Sequence, residues 1–257
     1  RRATREGFSF CSFATGAIAR GIRARDRTDG AWETAASAWL DDTSGGIALK
    51  SGGGVVRLDA PDGTPVVCKR YGRIATGRLP RPLRAFRAAE ALHNRGIPCP
   101  RPLLAAARAD GSGIVVSRWI DAPNLHEFLT TGYDALPPTA RRTLLVRLGR
   151  TLRQMHDAEI RHRDLKAPNL LVDGATAGVW ICDVDGAART KGPVPWRRRL
   201  KDLARLDASV TASRTDRYRA LDAYLRVPPW PSVERRRLLT RLERHVAAKR
   251  GPSGLPR

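Results

Sequence analysis

The sequence is poor in lysine, cysteine, methionine and aromatic residues. Its 257 residues include 47 basic side chains, of which six are lysines, together with one methionine, four cysteines and 15 aromatic residues. The cysteines stand far apart at Cys11, Cys68, Cys99 and Cys182, which excludes a Cys-x-x-Cys zinc or redox motif. We therefore expect reduced cysteines, with Cys68 and Cys182 buried, in a reducing compartment.

Long apolar runs are also missing. No segment approaches about 18 consecutive apolar residues, so the sequence predicts no membrane-spanning helix. The basic stretch Arg1–Arg5 is not followed by the apolar segment that a secretory signal needs. Hydrophobic residues make up 42% of the sequence, which is enough for a buried core. These features predict a cytoplasmic chain with one large domain or two small lobes.

Acidic residues are too few to balance the arginines, and the formal net charge is +22. This charge favours an anionic partner such as a nucleic acid, a membrane surface or a phosphorylated glycan. The aromatic residues show no stacking pattern, so we predict no specific nucleic acid. Arginines 197–199 and 235–237 are either a solvated face or a platform for an anionic partner. That partner would be lipid headgroups at the inner face of the cytoplasmic membrane or a phosphorylated sugar.

The order of local patterns runs from strand-rich to helix-rich. Segment 47–70 predicts a β-hairpin, 82–95 a helix, and Gly113–Ile120 a strand, because β-branched residues cluster there. Most of the chain beyond Ile120–Pro123 has helical periodicity. The sequence therefore predicts an α+β fold with a small β-rich N-lobe and a compact helical C-lobe.

This order suggests three regions. Residues 1–46 are mixed in composition with a short helical stretch at Ala31–Leu40, and we expect this extension to pack on the N-lobe. Residues 47–120 form the predicted N-lobe, which would bind the nucleotide. Residues 121–257 form the predicted C-lobe, with basic C-terminal helices.

The residues that point to chemistry cluster in a polar loop, 162–169, between a predicted helix and a second predicted hairpin. Asp164 and Asn169 share the loop, and the hairpin would return Asp183 to the same place. Oxygen ligands of this kind suit Mg²⁺, which also binds substrate phosphates. Upstream, Lys69 offers a point charge to phosphates. Backbone N–H groups are offered by three consecutive glycines, Gly52, Gly53 and Gly54.

These stretches resemble a protein kinase. The sequence His-Arg-Asp-Leu-Lys-x-x-Asn at 162–169 matches the kinase catalytic loop, and Val67–Lys69 resembles the strand that carries the ATP lysine. Asp183–Asp185 stands at the Asp-Phe-Gly position, but with Val and Asp as its second and third residues. No Ala-Pro-Glu segment appears, so we expect no full peptide-docking lobe.

Within the superfamily, the sequence is more similar to the bacterial lipopolysaccharide core kinases of the Kdo/WaaP type. This resemblance covers about residues 47–226. The stretches that carry it are Cys68–Tyr71, Arg95–Pro100, 162–169, Ile181–Asp185, Lys201–Ser209 and Thr215–Tyr218.

The resemblance implies a bilobal kinase-like fold and a role for each matching residue. Asp164 would be the catalytic base, and Lys166 would stabilise the γ-phosphate in the transition state. Asn169 and Asp183 would bind Mg²⁺, and Lys69 would contact the α- and β-phosphates of ATP. A hinge facing the adenine would come from the backbone of Arg118, Trp119 and Ile120.

Several residues keep two interpretations. Glu90 would be the helical acid that pairs with the ATP lysine, or a solvated residue. The glycines of 52–54 would cradle phosphate, or form a flexible turn. His162 is more often structural than a base in such a loop, and Asp185 is a second metal ligand or a solvated acid. Asp202 would anchor the catalytic loop or form surface ion pairs.

The sequence thus predicts an enzyme that transfers the γ-phosphate of ATP, with Mg²⁺, to a hydroxyl acceptor. The resemblance makes that acceptor a Kdo- or heptose-type sugar of a membrane glycolipid. One alternative is a Ser/Thr protein kinase or a small-molecule kinase of the same fold. Another class is a basic pseudokinase that binds nucleic acid or membrane.

Overall fold

The computed structural model describes residues 10–15, 18–24, 30–43, 45–49, 54–73, 79–226 and 239–247. The chain divides into two compact units, Arg1–Asn94 with Pro100–Ile120, and Arg95–Cys99 with Asp121–Arg257. The first unit is built on a β-sheet and the second is mainly helical, which confirms the predicted α+β class.

The first unit contains a seven-stranded antiparallel sheet with the order β1-β2-β6-β7-β5-β4-β3. Lys69 lies on β5, which pairs with β4 on one side and β7 on the other. A central strand that is hydrogen-bonded on both edges gives this lysine a rigid base. The strands are β1 (Phe10–Thr15), β2 (Ile18–Ala24), β3 (Ile47–Ala48), β4 (Val55–Asp59), β5 (Pro65–Tyr71), β6 (Pro102–Ala107) and β7 (Gly113–Arg118).

Helix α1 (Ala31–Asp41) covers one face of this sheet. Trp32, Ala36 and Leu40 recur every four residues, so they lie on one side of the helix and are all buried. They belong to the same apolar cluster as Val66 and Cys68 of β5. Burial raises the pKa of the Cys68 thiol to about 12, so this cysteine is an inert core residue. Cys182 is half-buried rather than buried, and the prediction of a core position for it was wrong.

Helix α2 (Arg81–His93) belongs to a second apolar cluster of the sheet. Leu83 and Phe86 contact Ala105 and Ala107, whereas the intervening Ala106 belongs to the α1 cluster. This alternation leaves every residue of β6 buried, because a strand sends successive side chains to opposite faces. The helix follows Pro80, and Gly96 with a φ of +66° comes just after its end.

Three strands of the sheet were not predicted. β1 and β2 fall in the mixed region 1–46, and β2 pairs with β6. β6 reads Pro-Leu-Leu-Ala-Ala-Ala, whose alanines favour a helix in isolation. It is a strand because small side chains fit between layers of residues on both faces of a sheet, which tertiary packing decides and local propensity does not.

Some predictions fall on residues outside the described part of the chain. Gly52 and Gly53 are among them, as are arginines 235–237. Gly54 is described, and its carbonyl accepts the N–H of Arg70 at 2.8 Å. Of the predicted basic C-terminal helices, the last is described over residues 239–247.

The second unit is organised by the long helix α4, which packs against α6. Gly149 of α4 lies against Ala220 of α6, where an added Cβ would clash with the Ala220 carbonyl and lie 2.9 Å from Tyr224 N. A side chain would therefore separate the two helices. The helices are α3 (Leu125–Thr131), α4 (Pro138–Asp157), α5 (Trp196–Ser209) and α6 (Arg214–Leu225).

Short strands bracket the polar loop at 162–169. The loop follows β8 (Ile160–Arg161), which pairs with β11 (Ala188–Arg189). It leads into the hairpin of β9 (Leu170–Asp173) and β10 (Gly178–Ile181). Both ends of the loop are thus held by strand pairs. The pair that follows the loop is the predicted second hairpin.

A search of the described helices finds none that combines the length and the apolar character needed to cross a membrane.

We predict that Gly149→Ala destabilises the protein, although this substitution normally stabilises a helix by about 1 kcal/mol. The added methyl group is expected to cost about 1–3 kcal/mol through overpacking against α6. Thermal unfolding followed by circular dichroism should show a melting temperature lower by roughly 2–10 °C.

The control is Gly72→Ala, since an added Cβ there meets no atom within 4 Å. Equal melting temperatures for Gly149→Ala and the wild-type protein would contradict the close approach of α4 and α6.

Candidate active site

The polar loop of the second unit brings three predicted site residues together. Lys166 Nζ lies 2.9 Å from Oδ2 of Asp164. The buried Asn169 donates from Nδ2 to the Asp164 carbonyl at 2.9 Å and to Asp164 Oδ2 at 3.3 Å. The Asp164 carboxylate is about half exposed, so it is held in place yet open to a substrate.

Hydrogen bonds to α5 and to Cys182 hold this loop. Residues Ala167–Asn169 form a 3-10 turn, and Ser209 Oγ of α5 accepts the N–H of Ala167 at 2.8 Å. The Asn169 carbonyl accepts the N–H of Cys182 at 2.9 Å. His162 donates from Nε2 to the Cys182 carbonyl at 2.8 Å, and the ring is fully buried. These contacts give His162 a structural position and link the loop to the segment that carries Asp183.

Asp202 of α5 holds the start of the loop. Its carboxylate is fully buried, and Oδ2 accepts the backbone N–H groups of His162 at 3.1 Å and Arg163 at 3.4 Å. Arg161 Nε lies 3.4 Å from Oδ1, and Arg205 Nη1 lies 3.8 Å from it. The Arg205 guanidinium also donates to the Arg163 carbonyl. Of the two interpretations of Asp202, the geometry favours the anchor.

The surroundings of Asp202 keep it ionised. Burial alone raises the pKa of a carboxyl group, because the charged form loses its hydration. Here His156, Arg161 and the N–H of Arg163 more than offset that effect, so the pKa of Asp202 lies below its usual value. A buried carboxylate needs such partners, since an unpaired buried charge is strongly destabilising.

Asp183 occupies a special backbone conformation. Its φ of +55° and ψ of +50° place it in the left-handed region immediately before the 3-10 turn Val184–Gly186. A residue other than glycine is uncommon there, which marks the position as constrained by function or packing. Asp185 is half-buried within the turn, so its two interpretations remain open.

The donor set of this unit suits Mg²⁺. Asn169 uses its NH₂ group on Asp164, which directs its carbonyl oxygen elsewhere, and Asp183 adds a carboxylate. No group of three or more His, Cys, Asp or Glu arranged for a metal is found in the described part of the chain. Mg²⁺ usually takes one or two carboxylates and completes its shell with waters and substrate phosphates.

In the first unit, Lys69 lies beside an aromatic ring. Its Nζ is 5.3 Å from the centre of the Tyr71 ring, and Arg81 of α2 lies at the same distance from that ring. Tyr71 is buried, so both cation–π contacts are partly shielded from water.

Glu90 is not paired with this lysine. Among the described residues, Glu90 forms no ion pair within 4.0 Å, and the charge that acts on its carboxyl group is that of Arg87. Partial burial raises the pKa of the Glu90 carboxyl, and Arg87 offsets part of that increase. The predicted Lys69–Glu90 contact is therefore not formed in this structure.

The predicted hinge follows β7. Arg118 donates its N–H to the Arg101 carbonyl at 2.9 Å, and Trp119 donates its N–H to the Pro65 carbonyl at 3.0 Å. These two N–H groups are already used in hydrogen bonds of the sheet. An adenine ring would therefore have to bind to the carbonyl oxygens of this stretch and to Ile120.

The sequence did not reveal the buried polar cluster behind Asp202. His156, Tyr224 and Arg199 are all buried there, and we had predicted Arg199 as part of an exposed arginine face. Its guanidinium instead donates to the Val194 carbonyl at 2.6 Å and to Asp157 Oδ1 at 2.8 Å. Tyr224 of α6 and His156 at the end of α4 are too far apart in the sequence to form a recognisable motif. They meet only because the helices pack together.

Comparison with known proteins gives a consistent match. The model of the lipopolysaccharide kinase (Kdo/WaaP) family matches residues 69–224. A 3-deoxy-D-manno-octulosonic acid kinase of Photobacterium profundum is 35% identical over 118 residues, which is 44% of this chain and 46% of that protein. Proteins of the same name in Haemophilus influenzae and Xanthomonas campestris are each 30% identical, over 132 and 180 residues.

The extent of these matches differs. The Haemophilus match covers 48% of this chain and 51% of the relative, and the Xanthomonas match covers 65% and 70%. The chain therefore spans about half the length of the first two relatives.

We predict that the stability of the protein falls as the pH drops below about 6.5. Burial lowers the pKa of His156, an effect that Asp202 and Asp157 oppose and Arg199 reinforces. The unfolded chain therefore binds more protons than the folded one below the ordinary histidine pKa of 6.5. The contribution of the neutral His156 to the free energy of unfolding is complete above pH 6.5. It is lost as the pH falls toward the lowered pKa that His156 has in the folded protein.

Melting temperatures measured between about pH 8 and pH 5 should show this decrease, and His156→Gln should reduce its slope. His93, whose pKa burial also lowers, contributes to the slope that remains. The control is His126→Gln at an exposed position. An unchanged slope in His156→Gln would contradict the prediction.

Proposed function

The chain belongs to the lipopolysaccharide kinase (Kdo/WaaP) family, which confirms the predicted kinase-like fold, and on this premise we propose that it is an ATP-dependent kinase. Its acceptor is a sugar hydroxyl of a membrane glycolipid. The sugar is of the 3-deoxy-D-manno-octulosonic acid (Kdo) class that names the curated relatives.

The observation that carries this proposal is the arrangement of the loop at 162–169. An open carboxylate, Asp164, stands beside an ammonium group, Lys166, and a buried amide, Asn169. Phosphoryl transfer needs an acceptor for the hydroxyl proton and positive charge near the transferred phosphoryl group. The loop supplies both.

In this proposal Asp164 accepts or orients the proton of the attacking sugar hydroxyl. Oδ2 of Asp164 already contacts the ammonium group of Lys166 and accepts a hydrogen bond from Asn169. These two contacts fix the orientation of the carboxylate. Lys166 also stabilises the negative charge that spreads over the γ-phosphate oxygens in the transition state. Both residues lie on a loop that the buried Asp202 holds, so the groups are positioned before substrate binds.

The nucleotide is assigned to residues of the first unit. Lys69 contacts the α- and β-phosphates from its central strand, and the Tyr71 ring limits where its ammonium group can lie. The hinge carbonyls and Ile120 contact the adenine, and the backbone at Gly54 approaches the phosphates. Glu90 is left as a half-buried residue of α2.

Asn169 and Asp183 are the residues that would hold Mg²⁺. When bound, the ion neutralises phosphate charge and orients the oxygens of the transferred group. The protein's own contribution is to keep the Asn169 amide turned by its contact with Asp164.

We expect Asp164→Asn to lower the rate of phosphoryl transfer by at least about 10²-fold, because proton transfer by a positioned base contributes about that much. Asp183→Asn should have a comparable effect. The assay uses γ-labelled ATP with Mg²⁺ and purified Kdo-containing glycolipid, and label is counted in the lipid fraction.

The matched control is Asp134→Asn, the same substitution at an exposed carboxylate of the second unit. Circular dichroism confirms that each variant is folded. Wild-type rates in Asp164→Asn would overturn the mechanism. Label in a protein fraction alone, with none in the glycolipid, would replace the acceptor with a protein.

A basic patch at the start of α5 supports action at a membrane. Arg197, Arg198 and Lys201 are exposed on neighbouring turns. Each basic residue near an anionic leaflet is worth about 1 kcal/mol. We assign to this patch a contact with anionic headgroups at the inner face of the cytoplasmic membrane.

We predict that changing all three residues to glutamate lowers binding to vesicles of anionic lipid by about 10²-fold at low salt. Sedimentation with vesicles measures the bound fraction. The control variant has the same change in net charge, because glutamate replaces three exposed arginines of α4, Arg142, Arg147 and Arg150. The assignment is wrong if both triple variants lose binding equally.

A further inference from the structure

A chain of buried polar groups runs from α6 to the catalytic loop. Tyr224 of α6 is 1% exposed, and its hydroxyl lies 2.7 Å from His156 Nδ1 at the end of α4. His156 Nε2, on the other side of the ring, lies 3.6 Å from Asp202 Oδ2 of α5. Asp202 Oδ2 in turn accepts the N–H groups of His162 and Arg163.

The partners of the imidazole determine its tautomer. Asp202 is an ionised carboxylate and can only accept, so a neutral His156 must carry its proton on Nε2. Nδ1 is then an acceptor, and the Tyr224 O–H is the donor that faces it. Among the described residues Nε2 has no hydrogen-bond partner, and the Asp202 carboxylate is the group it faces.

The surroundings of the tyrosine agree with this direction. Arg199 Nη1 lies 3.5 Å from the Tyr224 oxygen and can only donate to it. The hydroxyl hydrogen therefore needs an acceptor, and His156 Nδ1 provides one. Arg199 stays in place through Val194 and Asp157, independently of the hydroxyl.

We propose that Tyr224 is a positioning residue for the catalytic loop, because its hydroxyl holds His156 in the tautomer that directs Nε2–H toward Asp202. The oriented imidazole keeps Asp202 Oδ2 aligned with the N–H groups of His162 and Arg163. The loop that carries Asp164 is thereby linked to α6. The effect on catalysis rests on the proposed kinase function, whereas the tautomer and the loop contacts do not.

The protonation states fit this relay. Burial lowers the pKa of His156, which favours the neutral ring. Burial also raises the pKa of Tyr224 to about 12, which keeps its hydroxyl protonated at neutral pH. A neutral tyrosine and a neutral histidine are the two forms that the hydrogen-bond direction requires.

The test removes the hydroxyl in Tyr224→Phe and reads the imidazole directly. A two-bond ¹H–¹⁵N correlation spectrum of labelled protein identifies which nitrogen of His156 is protonated, and His156→Gln assigns the signal. We expect the wild-type proton on Nε2 and a mixture of tautomers in Tyr224→Phe. Exchange of the His162 and Arg163 amides should become about tenfold faster, as expected for the weakening of one buried hydrogen bond.

Kinetics separate positioning from general stability. In Tyr224→Phe, kcat should fall about tenfold while KM for ATP stays within about twofold, because the loop and not the nucleotide contact is disturbed. His156→Gln should retain most of the rate, since its amide can both accept from Tyr224 and donate to Asp202. His156→Leu can do neither, and should fall at least as far as Tyr224→Phe.

Tyr133→Phe is the matched control. Tyr133 is also buried in the second unit, but its hydroxyl faces Asp216 rather than His156. It should leave the His156 tautomer, the loop amides and kcat unchanged.

Two results would overturn the proposal: a wild-type His156 protonated on Nδ1, or unchanged amide exchange in Tyr224→Phe. Absence of phosphoryl transfer in the wild-type protein would count against the proposed function alone, because the tautomer and exchange measurements would still decide the role of Tyr224.

Discussion

The conformation of the polar loop at 162–169 depends on one buried carboxylate, that of Asp202. A charge with no exposed surface is tolerable only when compensating groups surround it. Here two backbone N–H groups donate to Asp202, and the side chains of Arg161 and His156 lie 3.4 and 3.6 Å from its oxygens. The two N–H groups that help to keep Asp202 ionised, those of His162 and Arg163, belong to the loop that it orients. Stability and preorganisation of this loop therefore come from a single arrangement of groups.

The contacts around this carboxylate join elements that are distant in sequence. Asp202 contributes from α5, His156 from α4 and Tyr224 from α6, and the close approach of α4 to α6 at Gly149 brings the last two within hydrogen-bond distance. The packing of α4 against α6 therefore matters for the polar groups, since the separation of these helices determines whether the Tyr224 hydroxyl reaches the His156 imidazole.

The first unit relies on layers rather than on a polar network. Its sheet buries β6 on both faces, and helices α1 and α2 contact different apolar clusters of it. Lys69 projects from the central strand next to the buried ring of Tyr71. The ion pair between this lysine and the helical carboxylate of Glu90, which the kinase pattern predicts, is not formed within this unit.

The sequence by itself determined the α+β class, the loop at 162–169 and the residues gathered there, because these depend on short-range spacing and local periodicity. It did not determine strand β6, the burial of Arg199, or the contact between Tyr224 and His156. Each of these depends on packing between elements far apart in the chain, which propensity and motif spacing do not contain. The sequence proposed the candidate reacting groups, whereas only the tertiary structure decided which side chains hold them in position.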